Sequence, residues 1–404
     1  MAPSLVFRGY CRLYQWILRL VSPFLPWREP ELEEGPGSVL RLVPIMHGLG
    51  LKRILVVTDR GILDLGLAKP LLDAMGSQGI TPILYSETHP NPTIKDIEDG
   101  AALYLQEGCE AILAFGGGSP MDCGKGIGAR IARPRKTLAQ MKGILGVGRR
   151  LPPLFAVPTT AGTGSEVTLA AVVTNPLTHE KYAISDTPLI PRYAALDPEL
   201  TLGLPKDITA TTGMDALTHA IEAFIGRSNT PQTAQDAIDA AGLVLTYLPR
   251  AYAQGDDIDA RQKMLKAAYL AGRAFTRAYI GNVHALAHTL GGFYGVPHGL
   301  ANAVLLPLVL DYYQDVVHRP LAEMARRLGV SNSLEDRQAA EEFIGHIRSL
   351  NQSMGIPPSL LLVHEEDLAT MARRAFAEAN PLYPVPKIFS RGDFEILLRR
   401  VGEL

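Results

Sequence analysis

The stretch AILAFGGGSPMD, residues 111–122, decides the fold. Its first five residues are a continuous apolar run of strand length, and three glycines separate them from a segment with helical spacing. Glycines at a strand end let backbone N–H groups come close to a pyrophosphate, and the N-terminus of the next helix favours its negative charge. Tight turns also use glycine, and the run is not the GxGxxG fingerprint of the usual dinucleotide unit. Its place between a buried strand and a helix is what gives it weight.

Outward from this stretch the pattern repeats. RILVVT (53–58), ILY (83–85) and LFAV (154–157) are further strand-like runs, with helical spacing over 67–75 and 94–106. Apolar strands alternating with helices predict a parallel sheet in an open α/β domain. Asp59 ends the first run, where a carboxylate can accept bonds from ribose hydroxyls and repel a 2′-phosphate. NPT (91–93), with Asn91, follows the second, and the hydroxyl-rich PTTAGTGSE (158–166) follows the fourth. Taken singly, Asp59 reads equally well as a solvated loop residue and Asn91 as part of a plain turn.

Past residue 204 the strand runs stop. Helical spacing holds over 212–225, 233–247, 257–279, 283–291, 316–327, 334–354 and 366–379. The expected organisation is an N-terminal arm and linker at 1–37, a dinucleotide-binding α/β domain at 38–205, and an all-α domain for metal and substrate at 206–404. At 404 residues the chain exceeds the size at which single cores stop growing.

Two motifs in the helical half carry chemistry. GMDALTHAIE (213–222) sets Asp215 and His219 four apart, hence on one helix face. GNVHALAH (281–288) repeats the spacing with His284 and His288, and His298 follows the turn GVP (295–297). A lone helix histidine is more often structural. A carboxylate with several imidazoles on two helices and a loop favours a metal site instead. No thiolate is in the set, so Fe²⁺ and Zn²⁺ both suit it.

Composition excludes more than it assigns. A formal charge of −2 gives no reason to expect nucleic acid, and 47% hydrophobic with 20% charged residues fits an ordinary globular chain. Cys11, Cys109 and Cys123 are scattered, which points to a reducing, cytoplasmic setting. The first 28 residues contain no acidic residue, and helical spacing over 5–21 puts Arg8, Arg12 and Arg19 on one stripe of an otherwise apolar surface. That segment is too short and too often interrupted by arginine to span a bilayer. It reads as an arm packed on its own domain or a second subunit, or as a peripheral membrane contact through residues 4–28.

GGGSPMDCGK (116–125), PTTAGTGSE (158–166), GMDALTHAIEAF (213–224) and HALAHTLGGFYGVPHGLANAVLLP (284–307) resemble the successive signatures of the iron-dependent (group III) alcohol dehydrogenases. The resemblance implies NAD as cofactor and a divalent metal, Fe²⁺ with Zn²⁺ as the alternative, held by Asp215, His219, His284 and His298. By the same resemblance Gly117, Gly118, Ser119 and Asp122 contact the pyrophosphate and nicotinamide, Thr159, Thr160 and Lys181 add further cofactor contacts, and Asp59 selects NAD. His288 corresponds to a non-ligand histidine near the nicotinamide; it and Asp122 are the expected catalytic residues. A homo-oligomer acting on a small alcohol or aldehyde is implied. The arm has no counterpart in the typical member.

The expected reaction is hydride transfer between an alcohol carbon and the nicotinamide, with metal Lewis acidity in place of a strong base and His288 as proton relay. Phe275 and Phe293 are candidates for an apolar substrate pocket or for the core. Enzymatic alternatives on the same fold are a zinc polyol dehydrogenase and a hydroxyacid–oxoacid transhydrogenase. The non-enzymatic alternative is a silent nucleotide-binding protein recruited to membranes by its arm.

Overall fold

In the computed structural model, which describes residues 3–176 and 180–403, the chain opens with helix α1 (Leu5–Val21). There follow β1 (Glu31–Glu34), α2 (Ser38–Gly48), β2 (Arg53–Val57), α3 (Arg60–Asp64), α4 (Lys69–Ser77) and β3 (Thr81–Tyr85). Next come α5 (Ile94–Gln106), β4 (Ala111–Gly116), α6 (Gly118–Ala132), β5 (Gly143–Ile144) and β6 (Leu154–Pro158). Strands β7 (Ala170–Asn175), β8 (Glu180–Ser185) and β9 (Tyr193–Leu196) complete this half.

Six strands form a parallel sheet in the order β1-β9-β6-β4-β2-β3. Both faces are covered, which explains why the strand sequences run apolar without alternation. Leu55, Val57, Ile112 and Ala114 pack with Ile97 and Ile127 on one face; Ile54, Val56, Leu113 and Phe115 pack with Leu42 and Leu71 on the other. Burying such side chains contributes about 1.5–3 kcal/mol each. That fixes the register of β4, and with it where the glycines at its end stand.

The chain leaves β2 for β3 on one side and returns to β4 on the other. The sheet therefore changes direction between β2 and β4, and ligands of open α/β sheets bind outside the carboxyl ends of strands at such a switch point. Asp59 and the Gly116–Gly118 turn lie at those two ends.

Two features differ from expectation. The acidic run after Glu29 is not a linker: β1 pairs in parallel with β9, Glu31 opposite Tyr193, and so belongs to the sheet. An edge strand can carry Glu31 and Glu34 toward solvent while Leu32 packs on the core, so its composition imitates a loop. The arm consequently ends before Pro26, and the α/β unit begins there rather than at residue 38. A small sheet, β5-β8-β7, was also not foreseen; its β7–β8 hairpin is antiparallel.

The helical part comprises α7 (Lys206–Ile225), α8 (Pro231–Ala253), α9 (Ile258–Ala278), α10 (Asn282–Tyr294), α11 (His298–Tyr313), α12 (Asp315–Arg327), α13 (Asp336–Ser353), α14 (Leu368–Ala379) and α15 (Arg391–Gly402). By packing, Pro26–Leu204 with Asp256–Tyr269 form one compact unit; the arm up to Leu25, Pro205–Gly255 and the chain from Leu270 onward form the other. Helix α9 thus belongs to both. Within the helical unit α7 packs on α8 and α11, and α10 on α11 and α14.

Candidate active site

The helical site is assembled from α7, α10 and the start of α11. Asp215 and His219 lie one turn apart on α7, His284 on the first turn of α10, and His298 at the first position of α11. One donor atom from each of the four lies within 4.8 Å of all the others. Asp215 Oδ1 is 3.9 Å from His219 Nδ1, 3.8 Å from His284 Nε2 and 3.5 Å from His298 Nε2. Four ligands at metal–nitrogen distances of about 2.1 Å around one ion stand roughly 3.4 Å apart, so this set needs little contraction to take one.

Glycine permits the close approaches that bring these helices together. A Cβ at Gly299 would meet the Thr211 carbonyl oxygen of α7 at 2.3 Å, and one at Gly281 would meet Glu222 Oε1 at 2.6 Å. Glu222 uses that space fully. It accepts N–H bonds from Gly281 and Val283, 2.8 Å each, at the start of α10, and lies 2.6 Å from His284 Nδ1. The Nδ1 proton of His284 is thereby held toward a carboxylate, leaving the Nε2 lone pair for the cluster. Burial pushes Glu222 up to about 7 and drives His284 well below its ordinary range, helped by His219, His298 and His288. A neutral imidazole is the form that binds metal.

Asn302 shows what the cluster asks for. Its Nδ2 donates to Asp215 Oδ1 at 2.7 Å and is 3.2 and 3.1 Å from His284 Nε2 and His298 Nε2. Three acceptors converge on one amide nitrogen, the arrangement a cation would satisfy better; the residues fit a divalent ion. His288 stands beside the cluster, its ring stacked 5.1 Å from that of His298, with Nδ1 2.6 Å from Glu378 Oε1.

In the α/β unit the strand-end loops meet. Gly117 precedes α6 as its N-cap, and a Cβ at Gly118 would lie 2.8 Å from Thr163 Cγ2. Asn91 has φ +58°, donates its N–H to Ser119 Oγ at 3.1 Å and accepts from Lys181 Nζ at 2.7 Å. The Thr159 N–H donates to the Gly116 carbonyl at 3.0 Å, and Thr160 lies against Gly117. Asp59 caps α3, accepting from Ile62 N at 2.9 Å.

The model of the family described as iron-containing alcohol dehydrogenase matches residues 30–198, and that of the Fe-containing alcohol dehydrogenase family, C-terminal, matches 209–401. The chain belongs to the iron-containing alcohol dehydrogenase family. It is similar to a 1,3-propanediol dehydrogenase of Klebsiella pneumoniae, 41% identical over 351 residues covering 86% of this chain and 90% of the relative. A lactaldehyde reductase of Escherichia coli is 36% identical over 84% of this chain and 90% of its own. Among solved structures, an alcohol dehydrogenase from Oenococcus oeni superposes with a TM-score of 0.89 at 36% identity, over 93% of this chain and 100% of that one. This alcohol dehydrogenase is an oxidoreductase acting on CH–OH groups, with NAD and a metal, iron by the family's description, as its cofactors.

Several side chains of the enzyme do work that its sequence did not disclose. Asp122, expected to be catalytic and to contact the cofactor, also ties down the 165–172 segment: its Oδ1 accepts from Ser165 Oγ and its Oδ2 from the Val172 N–H, both at 3.1 Å. Lys125, buried in α6, places its ammonium within 3.0 Å of four acceptors that share its three N–H donors: Ser165 Oγ, the Thr168 carbonyl and hydroxyl, and the Ala170 carbonyl. Phe275 stacks on the His219 ring at 4.2 Å, which gives it the job of bracing a candidate ligand. Phe293 lies under the Arg374 guanidinium. Glu222, Asn302 and Glu378 escaped notice because a lone carboxylate or amide on a helix carries no spacing signal. Glu222 is the exception that could have been found, since it falls on the Asp215 face seven residues on.

Proposed function

We propose that this enzyme oxidises small alcohols or reduces the corresponding aldehydes with NAD(H), with Asp215, His219, His284 and His298 as the ligands of one divalent ion. The convergence of these four donors, with His284 oriented by Glu222, carries the reading. The bound groups supply Lewis acidity toward the alcohol oxygen and a hydride acceptor at the nicotinamide.

The chain's own residues do the rest. Asp215 contributes the one negative charge among the ligands, and burial keeps His284 neutral and available. His288 takes the alcohol proton on Nε2, and Glu378 at its Nδ1 stabilises the imidazolium that results. Tyr383, whose hydroxyl donates to the same Glu378 oxygen at 2.8 Å, holds that carboxylate in place. Gly117, Gly118 and Ser119 at the start of α6 receive the pyrophosphate, Asn91, Thr159, Thr160 and Lys181 border it, and Asp59 disfavours a 2′-phosphate. Asp122 acts here as a positioning residue through the 165–172 segment.

Relatives named for 1,3-propanediol and lactaldehyde put short alcohols and aldehydes at the head of the substrate panel. The test loads metal-free enzyme with Fe²⁺ or Zn²⁺ and assays that panel with NAD(H) and NADP(H). Turnover with NAD(H) that returns only with metal, Fe²⁺ above Zn²⁺, is expected; full turnover in metal-free protein would sink the reading. A cytoplasmic homo-oligomer with peripheral membrane contact through residues 4–28 completes the proposal, the contact being supported by the exposed apolar surface of α1.

A further inference from the structure

Helix α1 has two unlike sides. The inner side is pinned to its own helical unit: Phe7 stacks on Phe376 at 5.3 Å, Cys11 is buried, and Gln15 Nε2 donates to the carbonyls of Pro381 and Tyr383 at 3.0 and 2.7 Å. Arg12 donates to the carbonyls of Val385 and Pro386 at 2.8 and 3.0 Å. The arm cannot fold its outer side away without breaking these bonds.

That outer side is apolar and open. Leu5, Val6, Tyr10, Leu13, Trp16, Ile17, Leu20 and Val21 on the helix, with Phe24 just beyond, are 44–87% exposed. At 100° per residue they cover one continuous face, with no charged residue inside it. Nine of the 21 large apolar side chains that stand exposed among the described residues are these. A patch of this kind marks a protein or membrane contact. The family match begins at residue 30, beyond the arm, so the shared catalytic fold does not explain it.

Charge decides between the occupants. Arg8, Arg12 and Arg19 run along one margin of the face, and residues 1–28 hold no carboxylate. The margin leads to a cavity of about 460 Å³ lined by Arg8, Arg12, Arg227 and Lys387 with Ser390 and Asp393. Asp393, the only carboxylate lining it among the described residues, is already engaged, accepting from the Tyr312 hydroxyl and Ser390 N at 2.6 Å and from Ser390 Oγ at 2.7 Å. Burial first, and then the neighbouring Arg227, push Arg12 down to about 10. Exposed Val316 and Ile396 also line the cavity, giving it apolar wall. Among the described residues no helix is long and apolar enough to cross a membrane, so the face suits a helix lying in the plane of one.

We propose that α1 seats this enzyme on an anionic phospholipid bilayer, its outer face in the acyl boundary and a lipid phosphate in the Arg8–Arg12–Arg227–Lys387 cavity. This rests on the reading of residues 4–28 as a membrane contact. It adds which lipids are chosen and which residues choose them.

Flotation of the metal-loaded enzyme with phosphatidylcholine vesicles, and with vesicles carrying 30% phosphatidylglycerol, tests it. Preference for the anionic vesicles by about tenfold or more is expected. Leu13→Glu/Ile17→Glu should abolish flotation while leaving turnover on a water-soluble alcohol and the oligomeric state unchanged. Arg227→Gln/Lys387→Gln, off the arm, should keep weak flotation and lose the anionic preference. No flotation of the wild type, or a changed oligomer in Leu13→Glu/Ile17→Glu, overturns the membrane contact itself. Normal flotation with an undiminished preference in Arg227→Gln/Lys387→Gln overturns only the headgroup cavity. Flotation on anionic vesicles abolished by millimolar inorganic phosphate, at constant ionic strength, assigns the cavity to the free ion and overturns the lipid assignment.

Discussion

At the end of β4, Pro120 packs where a Cβ of Gly116 would stand and Thr163 where one of Gly118 would, so only glycine fits this turn. At α7, α10 and α11, four side chains with lone pairs to offer crowd one point instead. The first region suits an anion by the direction of a helix that a tightly packed glycine turn leads into; the second suits a cation by concentrating lone pairs in a buried place. The first therefore tolerates changes of charge better than changes of bulk, and the second the reverse. Its donors must also be held against one another, which is the work of Glu222, Asn302 and Phe275.

The largest effect should come from the cation region. His284→Ala removes a proposed ligand, and turnover should fall about a thousandfold or more with loss of bound metal, read by elemental analysis. Glu222→Gln keeps the shape but not the charge behind His284, and should weaken metal binding by about 10–100-fold. If Glu222→Gln bound metal as tightly as wild type, the division between ligand and orienting residue would be wrong.

A smaller effect separates two readings of Asp59 in the anion region. Asn caps helices about as well as Asp, so Asp59→Asn should leave thermal stability nearly unchanged. The lost charge should raise NADP(H) use relative to NAD(H) by about tenfold. An unchanged cofactor ratio would make Asp59 a cap and nothing more.

Lys125 gives the most specific test, one read in stability and not in activity, because it is a charge placed where bulk and backbone otherwise rule. Burial lowers its ammonium to about 8, so from there up to the ordinary lysine range the unfolded chain holds a proton that the folded chain has released. Folding stability from this group is penalised below about pH 8 and recovers as pH rises, on the order of 3 kcal/mol in all. Denaturant midpoints from pH 7.5 to 10 should show that rise in wild type and lack it in Lys125→Met. Parallel curves for the two proteins would remove Lys125 as its source.

The sequence determined much of this protein by itself. Continuous apolar runs at 54–57, 111–115 and 154–157, short and alternating with helical segments, read as strands buried on both faces. Asp215 with His219, and His284 four before His288, must share helix faces because 3.6 residues make a turn. Period and residue type are local, and local physics is written in order along the chain. Tertiary structure decided what depends on distant partners. It made the acidic run at 31–34 a strand by giving it β9 to pair with, and set Glu222 against His284 across two helices. It also engaged both oxygens of Asp122 with the 165–172 segment. It turned one side of α1 inward and left the other bare, because only a folded surface says which half of an apolar helix has already found its neighbours.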